Sequence, residues 1–282
     1  MLDWKPEYCH DEAVSAVWHH AGTNLALDFH GDPGADLVVF SDGNHHMALL
    51  DAVCAFRERH NALGLFYTTT PPAPLVAALR SGRLRLGNLL LSVRPHVFIS
   101  PRFVLEPLRQ EGLLGELRGL FSSRGNVLLV ARGNPKAIHG VADLARDHVR
   151  LFLSNPETEK ASYHGYRQSL DVQSARAGVE LAGLTEEDDA RIVYGERIHH
   201  REAPEAVASG LADCAVVYHH LGLRYSRIFP DQLETVALDE EQRASSHIAL
   251  VGDGGRWGRT FLEFMLSETV ANIYRHHGME PD

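Results

Sequence analysis

The sequence predicts an α/β protein of two Rossmann-like lobes with mixed, mostly parallel sheets. Three observations carry this. Short, continuously apolar runs such as "LVVF" (37–40) and "NVLLVA" (126–131) are strands covered on both faces. Segments of helical periodicity alternate with them. The alternation starts afresh after residue 125, and 282 residues suit two lobes of roughly 100–150 residues better than one core.

The elements follow in order. Residues 1–35 are expected to form an N-terminal extension, with "DEAVSAVWHHAG" as a short helix and "GDPGAD" (31–36) as a turn before the main fold. After the strand "LVVF", "HMALLDAVCAFRERHNALG" places Leu49, Val53, Phe56 and His60 at helical spacing and ends on Gly64. "LGLFYT" is a strand, and "PPAPLVAALRSG" a helix with proline in its first turn and glycine at its end. "HVFIS" (96–100) and "PRFVLEPLRQEGLL" repeat the pattern. His96, preceded by Pro95 and entering a buried strand, reads as a structural histidine.

The second lobe runs through the strand "NVLLVA", the loop and helix "GNPKAIHGVADLA", the strand "VRLFLS" and the helix within "NPETEKASYHGYRQSL". Beyond the polar stretch "TEEDDA" come "RIVYG", the helix "EAPEAVASG" and the strand "CAVVY" (214–218). A strand "SHIALVG" and one long amphipathic helix, "RTFLEFMLSETVANIYRHHG", close the chain. The expected division is 36–125 with 245–282 as the first lobe and 126–244 as the second.

Composition narrows the function. The net charge of −10 and 23% charged residues argue against a nucleic-acid partner. Small-anion sites stay open, since they are built from helix N-terminal N–H groups without net positive charge. Cys9, Cys54 and Cys214 are scattered and indicate neither a disulfide framework nor a thiolate metal site. No apolar run reaches the ~20 residues of a membrane span. The start "MLDWKPEYCHDEAV" lacks the form of a signal peptide, so the expected location is cytoplasmic if the chain is complete as written and periplasmic if a leader was trimmed. Histidine stands out: ten of the 18 fall in adjacent pairs, at 19–20, 45–46, 199–200, 219–220 and 276–277.

Several stretches resemble the molybdate- and tungstate-binding proteins of ABC importers, which have the type II periplasmic binding fold. "VVFSDGNHHMALLDAVCAFRE" is similar to that family's first strand, ligand loop and helix. "LVAALRSG…HVFISP" is similar to its second helix and next strand, with His96 where the family usually has Asp. "NVLLVARGNPKAIHGVADLA…VRLFLSNPETEKASYHGY" resembles the hinge strand and the start of the second lobe, "EAVASGLADCAVVY" the last ligand-loop helix and strand, and "FLEFMLSETVANIYRHHGM" the closing helix. The resemblance spans about 36–282. It implies two lobes joined by hinge strands, a small inorganic ligand in an interlobe cleft, a membrane permease as partner, a monomer, and no catalytic residues or obligatory cofactor.

Carried over position by position, the family's ligand set falls on Asn44, with His45 beside it, on Thr69 and Thr70, on Ser162 and Tyr163, on the backbone near His200, and on Tyr218. Amide and hydroxyl donors of this kind can hold a tetrahedral oxyanion such as molybdate or tungstate. The alternative ligand is a divalent transition metal (zinc, nickel or copper) held by His45, His46, His200 and His219. No two histidines are spaced i, i+4, and helix or strand neighbours point apart, so such a site needs one imidazole from each of several loops. A metal-dependent hydrolase and an intracellular ligand-sensing domain are further alternatives. The chain contains no GxSxG, P-loop or HExxH motif, so the expected role is binding rather than catalysis.

Overall fold

The computed structural model describes residues 2–4, 15–19, 26–61, 63–86, 88–181, 190–196, 198–239 and 241–282. The described residues of Pro6–Ser122 and Ser245–Asp282 form one compact unit, and those of Met1–Lys5 and Ser123–Ala244 another. The first is called the outer-segment unit here because it holds both long flanking segments of the chain; the other is the middle unit.

In chain order the outer-segment unit contains β1 (Ser15–His19), β2 (Ala26–His30), β3 (Leu37–Ser41), α1 (His46–Arg59), β4 (Leu65–Thr68), α2 (Pro72–Ser81), the hairpin β5 (Arg83–Leu86) and β6 (Leu89–Ser92), β7 (Val97–Pro101), α3 (Arg102–Gln110) and β8 (Arg118–Ser122). The middle unit follows with β9 (Asn126–Ala131), a 3-10 turn at Val141–Ala145, β10 (Leu151–Leu153), α4 (Lys160–Ala177), β11 (Ile192–Tyr194), α5 (His199–Ala208), β12 (Cys214–Tyr218), α6 (His219–Ile228) and β13 (Leu233–Asp239). The chain then returns with β14 (Ser245–Leu250), α7 (Gly255–Met265), α8 (Glu268–His276) and β15 (Glu280–Pro281).

The eight-stranded sheet runs β1-β2-β4-β3-β7-β14-β8-β15, and its centre, β4-β3-β7, is parallel. The five-stranded sheet runs β11-β10-β12-β9-β13, with β11-β10-β12 parallel and β9 antiparallel to both its neighbours. Both are therefore mixed sheets with a three-stranded parallel block. Val38 and Phe40 of β3 pack with Phe66, Leu75, Phe98, Leu105 and Leu108 on one face. Leu37 and Val39, also inaccessible to solvent, lie on the opposite face, as the period-2 pleat requires. Burial on both faces is why β3 is apolar at every position up to its terminal serine. The middle unit is built the same way, with Leu128, Val130, Leu151, Leu153 and Val216 from the sheet against Tyr166 and Leu170 of α4.

The N-terminal expectation is corrected. Residues 15–19 form strand β1 rather than part of a helix, paired with β2, which in turn pairs with β4; the remainder of "DEAVSAVWHHAG" and of "TEEDDA" up to Asp189 lies outside the described residues. Five residues are too few for periodicity to separate helix from strand, and pairing across the sheet decides. Residues 2–4 belong elsewhere. The Leu2 N–H and the Trp4 indole both donate to Glu205 Oε1, and the Trp4 ring meets Tyr225 and Phe229 edge-on.

The closing helix is two helices, interrupted at Leu266–Ser267, where Ser267 takes the extended N-cap conformation ahead of Glu268. A second correction concerns cysteine. Cys54 is disulfide-bonded, while Cys214 is a buried free thiol. A single bridge among three scattered cysteines leaves no spacing signature.

Gly31 shows how closely β2 is fitted to the sheet. Its φ is +91°, and a Cβ there would lie 2.2 Å from the Leu65 carbonyl oxygen. Gly31→Ala is expected to lower the unfolding free energy by about 3 kcal/mol or more, combining the left-handed conformation with a backbone clash. Gly112→Ala, with φ +76° but open space around it, should lose only about 1–2 kcal/mol. Urea denaturation of the two variants measures the difference, and equal losses would mean that β2 is not held against β4.

Candidate functional site

In open α/β sheets, ligand loops lie beyond the carboxyl ends of the parallel strands, beside helix N-termini. The outer-segment unit presents such an edge at β4-β3-β7. Asn44 and His45 follow β3 and lead into α1, and Thr69 and Thr70 follow β4. The loops are knitted together. The Thr70 N–H donates to the Ser41 carbonyl (3.2 Å), the Ser41 N–H to Thr68 Oγ1 (3.1 Å), and the Asp42 N–H to the Ile99 carbonyl (3.3 Å). Asn44 is half-buried. Thr69 and Thr70 are buried, and Thr69 Oγ1 hydrogen-bonds His30 Nε2 at 3.3 Å. Helix α2 brings little to this edge, because Pro71, Pro72 and Pro74 have no N–H.

His45 is fully buried, and both its ring nitrogens are engaged: Nε2 with Ser41 Oγ at 2.9 Å and Nδ1 with Tyr274 Oη at 2.8 Å. Ser41 Oγ also donates to the Asp42 carbonyl (3.0 Å). An imidazole bonded at both nitrogens within the fold has neither of them free for a metal. His46 is held differently, its Nδ1 bonding the Gly43 carbonyl at 3.0 Å, and burial pushes its pKa down to about 4.

The parallel block β11-β10-β12 of the middle unit has its own edge. Ser162 and Tyr163 lie in the first turn of α4, His200 in the first turn of α5, and Tyr218 at the end of β12 where α6 begins. Ser162 Oγ donates to the Glu159 carbonyl. The Tyr218 ring is half-buried, stacked on His220 at 5.6 Å and 5.1 Å from Tyr166. His200 is buried, and its carbonyl accepts from the Tyr225 hydroxyl. His219 is half-buried at the start of α6. Thus Asn44, His45, Thr69 and Thr70 share one strand edge, and Ser162, Tyr163, His200 and Tyr218 another. Among the described residues, no group of three or more His, Cys, Asp or Glu side chains gathers as a metal site. His96 is structural, its Nδ1 accepting the Val38 N–H at 2.9 Å.

Two carboxyls at these edges were not singled out from the sequence. Asp42 is 2% exposed; its Oδ1 accepts the Asn44 N–H (3.2 Å), and burial raises its pKa to about 6 against the opposing Asn44 N–H and Ser100 hydroxyl. Glu159, at the N-cap of α4, accepts the His199 N–H at 2.8 Å, and burial raises its pKa to about 7. A carboxylate just before a helix is a visible signal. Its partner 40 residues away is not.

Residues 37–280 match the model of the bacterial extracellular solute-binding proteins. The chain belongs to that family. Among solved structures, this solute-binding protein is similar to the periplasmic molybdate-binding protein of Azotobacter vinelandii (TM-score 0.61, 15% identity, covering 86% of this chain and 98% of that one). It is similar also to the substrate-binding domain of a molybdenum ABC transporter from Clostridium difficile (0.59, 17%, 86% and 97%). A sulfate-binding protein from Mycobacterium tuberculosis gives 0.64, 14%, 87% and 86%. At such identities the likeness establishes the type II periplasmic binding fold. No curated protein sequence matches the chain.

The buried titratable groups of this solute-binding protein set its acid response. His30 and His46 are pushed down to about 4 and His199 to about 3, each chiefly by burial. Below pH 6.5 the unfolded chain protonates these three while the folded chain does not, so stability falls as pH falls. Asp42 and Glu159, raised in the fold, act in the opposite sense between about pH 7 and 4. The balance of three against two is close to one proton, and His96 and His247, also lowered by burial, add to it. The unfolding free energy should therefore drop by at least about 1.4 kcal/mol from pH 6 to pH 5. Asp42→Asn combined with Glu159→Gln should make the fall two- to threefold steeper, as read by urea denaturation at the two pH values. An unchanged slope would mean that the two carboxyls are ionised in the fold.

Proposed function

We propose that this solute-binding protein captures a small tetrahedral oxyanion of the molybdate, tungstate or sulfate class, as a monomer, and delivers it to the membrane permease of an ABC importer. The observation that carries the reading is the placement of Asn44, Thr69, Thr70, Ser162, Tyr163, His200 and Tyr218. All lie at carboxyl ends of parallel strands, beside the N-termini of α1, α2, α4, α5 and α6. They are amide, hydroxyl and backbone groups that recognise oxyanion oxygens without a formal positive charge. Family membership supports capture rather than turnover, and the solved relatives with molybdate and sulfate in their descriptions support the ligand class. A disulfide at Cys54 favours an oxidising, extracytoplasmic compartment. The metal alternative loses ground because His45 has spent both ring nitrogens within the core.

Thermal unfolding with added molybdate, tungstate or sulfate tests the reading. At a hundredfold excess over Kd, a bound oxyanion should stabilise the fold by about 2.7 kcal/mol and raise Tm by several degrees. Asn44→Ala should weaken that ligand roughly ten- to a hundredfold while leaving the unliganded Tm nearly unchanged. Stabilisation by zinc, nickel or copper, with none from the oxyanions, would overturn it.

A further inference from the structure

At the strand edge of the middle unit, one helix N-terminus already holds an anion from the protein itself. Glu159 reaches from the start of α4 to the first residue of α5, where its Oε2 accepts the His199 N–H at 2.8 Å. Glu159 thus sits at the N-terminus of the ten-residue helix α5, where the helix dipole favours negative charge. The loop that carries Glu159 is well built. Asn155 Oδ1 accepts the Glu157 and Thr158 N–H groups, and Asn155 Nδ2 donates to the Gly195 carbonyl just beyond β11. The same loop lines a cavity of about 640 Å³, bounded by Asn155, Pro156, Glu157, Lys160 and Tyr194. Two polar atoms at this edge, Ser154 Oγ and His199 Nδ1, are buried with no hydrogen-bond partner among the described residues.

We propose that Glu159 is the resident anion of the α5 N-terminus and that a captured oxyanion displaces it, so that capture depends on the protonation of this carboxyl. The inference rests on the oxyanion reading above. Ionised, Glu159 competes for the His199 N–H at the α5 N-terminus; protonated, it gives it up and turns aside without leaving a charge behind. The proton comes from solvent and stays on Glu159 while the ligand is bound.

The surrounding groups fit this role. Glu202, one turn into α5, opposes the charge of Glu159, and its own carboxylate lies over Gly195, where a Cβ would come within 3.1 Å of Oε2. Tyr166 of α4 is raised well above its ordinary value by burial first, then by Tyr218 and by Glu159, so it stays protonated. The His199 ring is neutral, with its pKa near 3. Glu157 and Lys160, on the loop and the first turn of α4, are exposed. Glu159 is therefore the group here that titrates near neutrality, at about 7.

Isothermal titration with sodium molybdate and sodium sulfate at pH 6 and pH 8, in buffers of different ionisation enthalpy, tests the inference. The intact protein should bind roughly tenfold more tightly at pH 6 than at pH 8, with uptake of up to about one proton at pH 8. Glu159→Gln should bind at pH 8 as the intact protein does at pH 6, without proton uptake. Glu202→Gln, which leaves Glu159 in place, should move the midpoint to lower pH. Binding that is independent of pH, or weaker in Glu159→Gln, overturns this inference alone. Absence of binding by both proteins at either pH overturns it together with the oxyanion reading.

Discussion

The buried imidazole of His45 is the interaction on which the outer-segment unit depends. It joins three elements far apart in the chain: the end of β3 through Ser41, the start of α1 on which it sits, and the last helix, α8, through Tyr274. The Phe121 ring of β8 lies 4.8 Å away and closes the apolar side. A buried polar group without partners is destabilising by about 1–3 kcal/mol, so this doubly bonded ring defines one arrangement of the loop and penalises others. Asn44, just before it in the chain, inherits its position from it. The return of the chain into this unit is thus a requirement of the loop between β3 and α1.

Once the loop is fixed in this way, the chemistry of both edges takes the same form. Neutral donors from amide, hydroxyl and backbone groups lie at strand ends, each accompanied by one carboxyl that burial makes hard to ionise: Asp42 in one unit, Glu159 in the other. Helix N-termini favour negative charge, and a protein that leaves them for a ligand must satisfy them when the ligand is absent. Glu159 does this for α5. A carboxylate suits the purpose because its charge can be removed by a proton, whereas a backbone partner could not be withdrawn.

Much of the fold was legible in the sequence, for physical reasons that also mark the limits. Strands buried on both faces announce themselves, and β3, β7, β9 and β12 fall within a residue or two of their apolar runs. Helices with capping residues and glycine stops, such as α2 ending at Gly82, were equally plain. Strands that add to a sheet edge, β1, β2 and β13, carry weaker patterns, because only pairing makes them strands. Ser267 could have flagged the break between α7 and α8, but the apolar spacing runs through it. The positions of the candidate residues at strand ends were legible, since motif order sets which loops follow the parallel strands. What each histidine does was not. His45 and His46 are neighbours in sequence and opposites in role, one a core hydrogen-bonding bridge and the other a half-buried ring on the Gly43 carbonyl, and only the distant Tyr274 tells them apart.

The most direct measurement of the central claim is an anomalous-scattering map from crystals grown with sodium tungstate. The account predicts a single strong tungsten peak within hydrogen-bonding distance of Asn44, with His45 still bonded to Ser41 and Tyr274. A tungsten peak confined to exposed surface, or a zinc peak bound by His45 with its bond to Tyr274 broken, would contradict it.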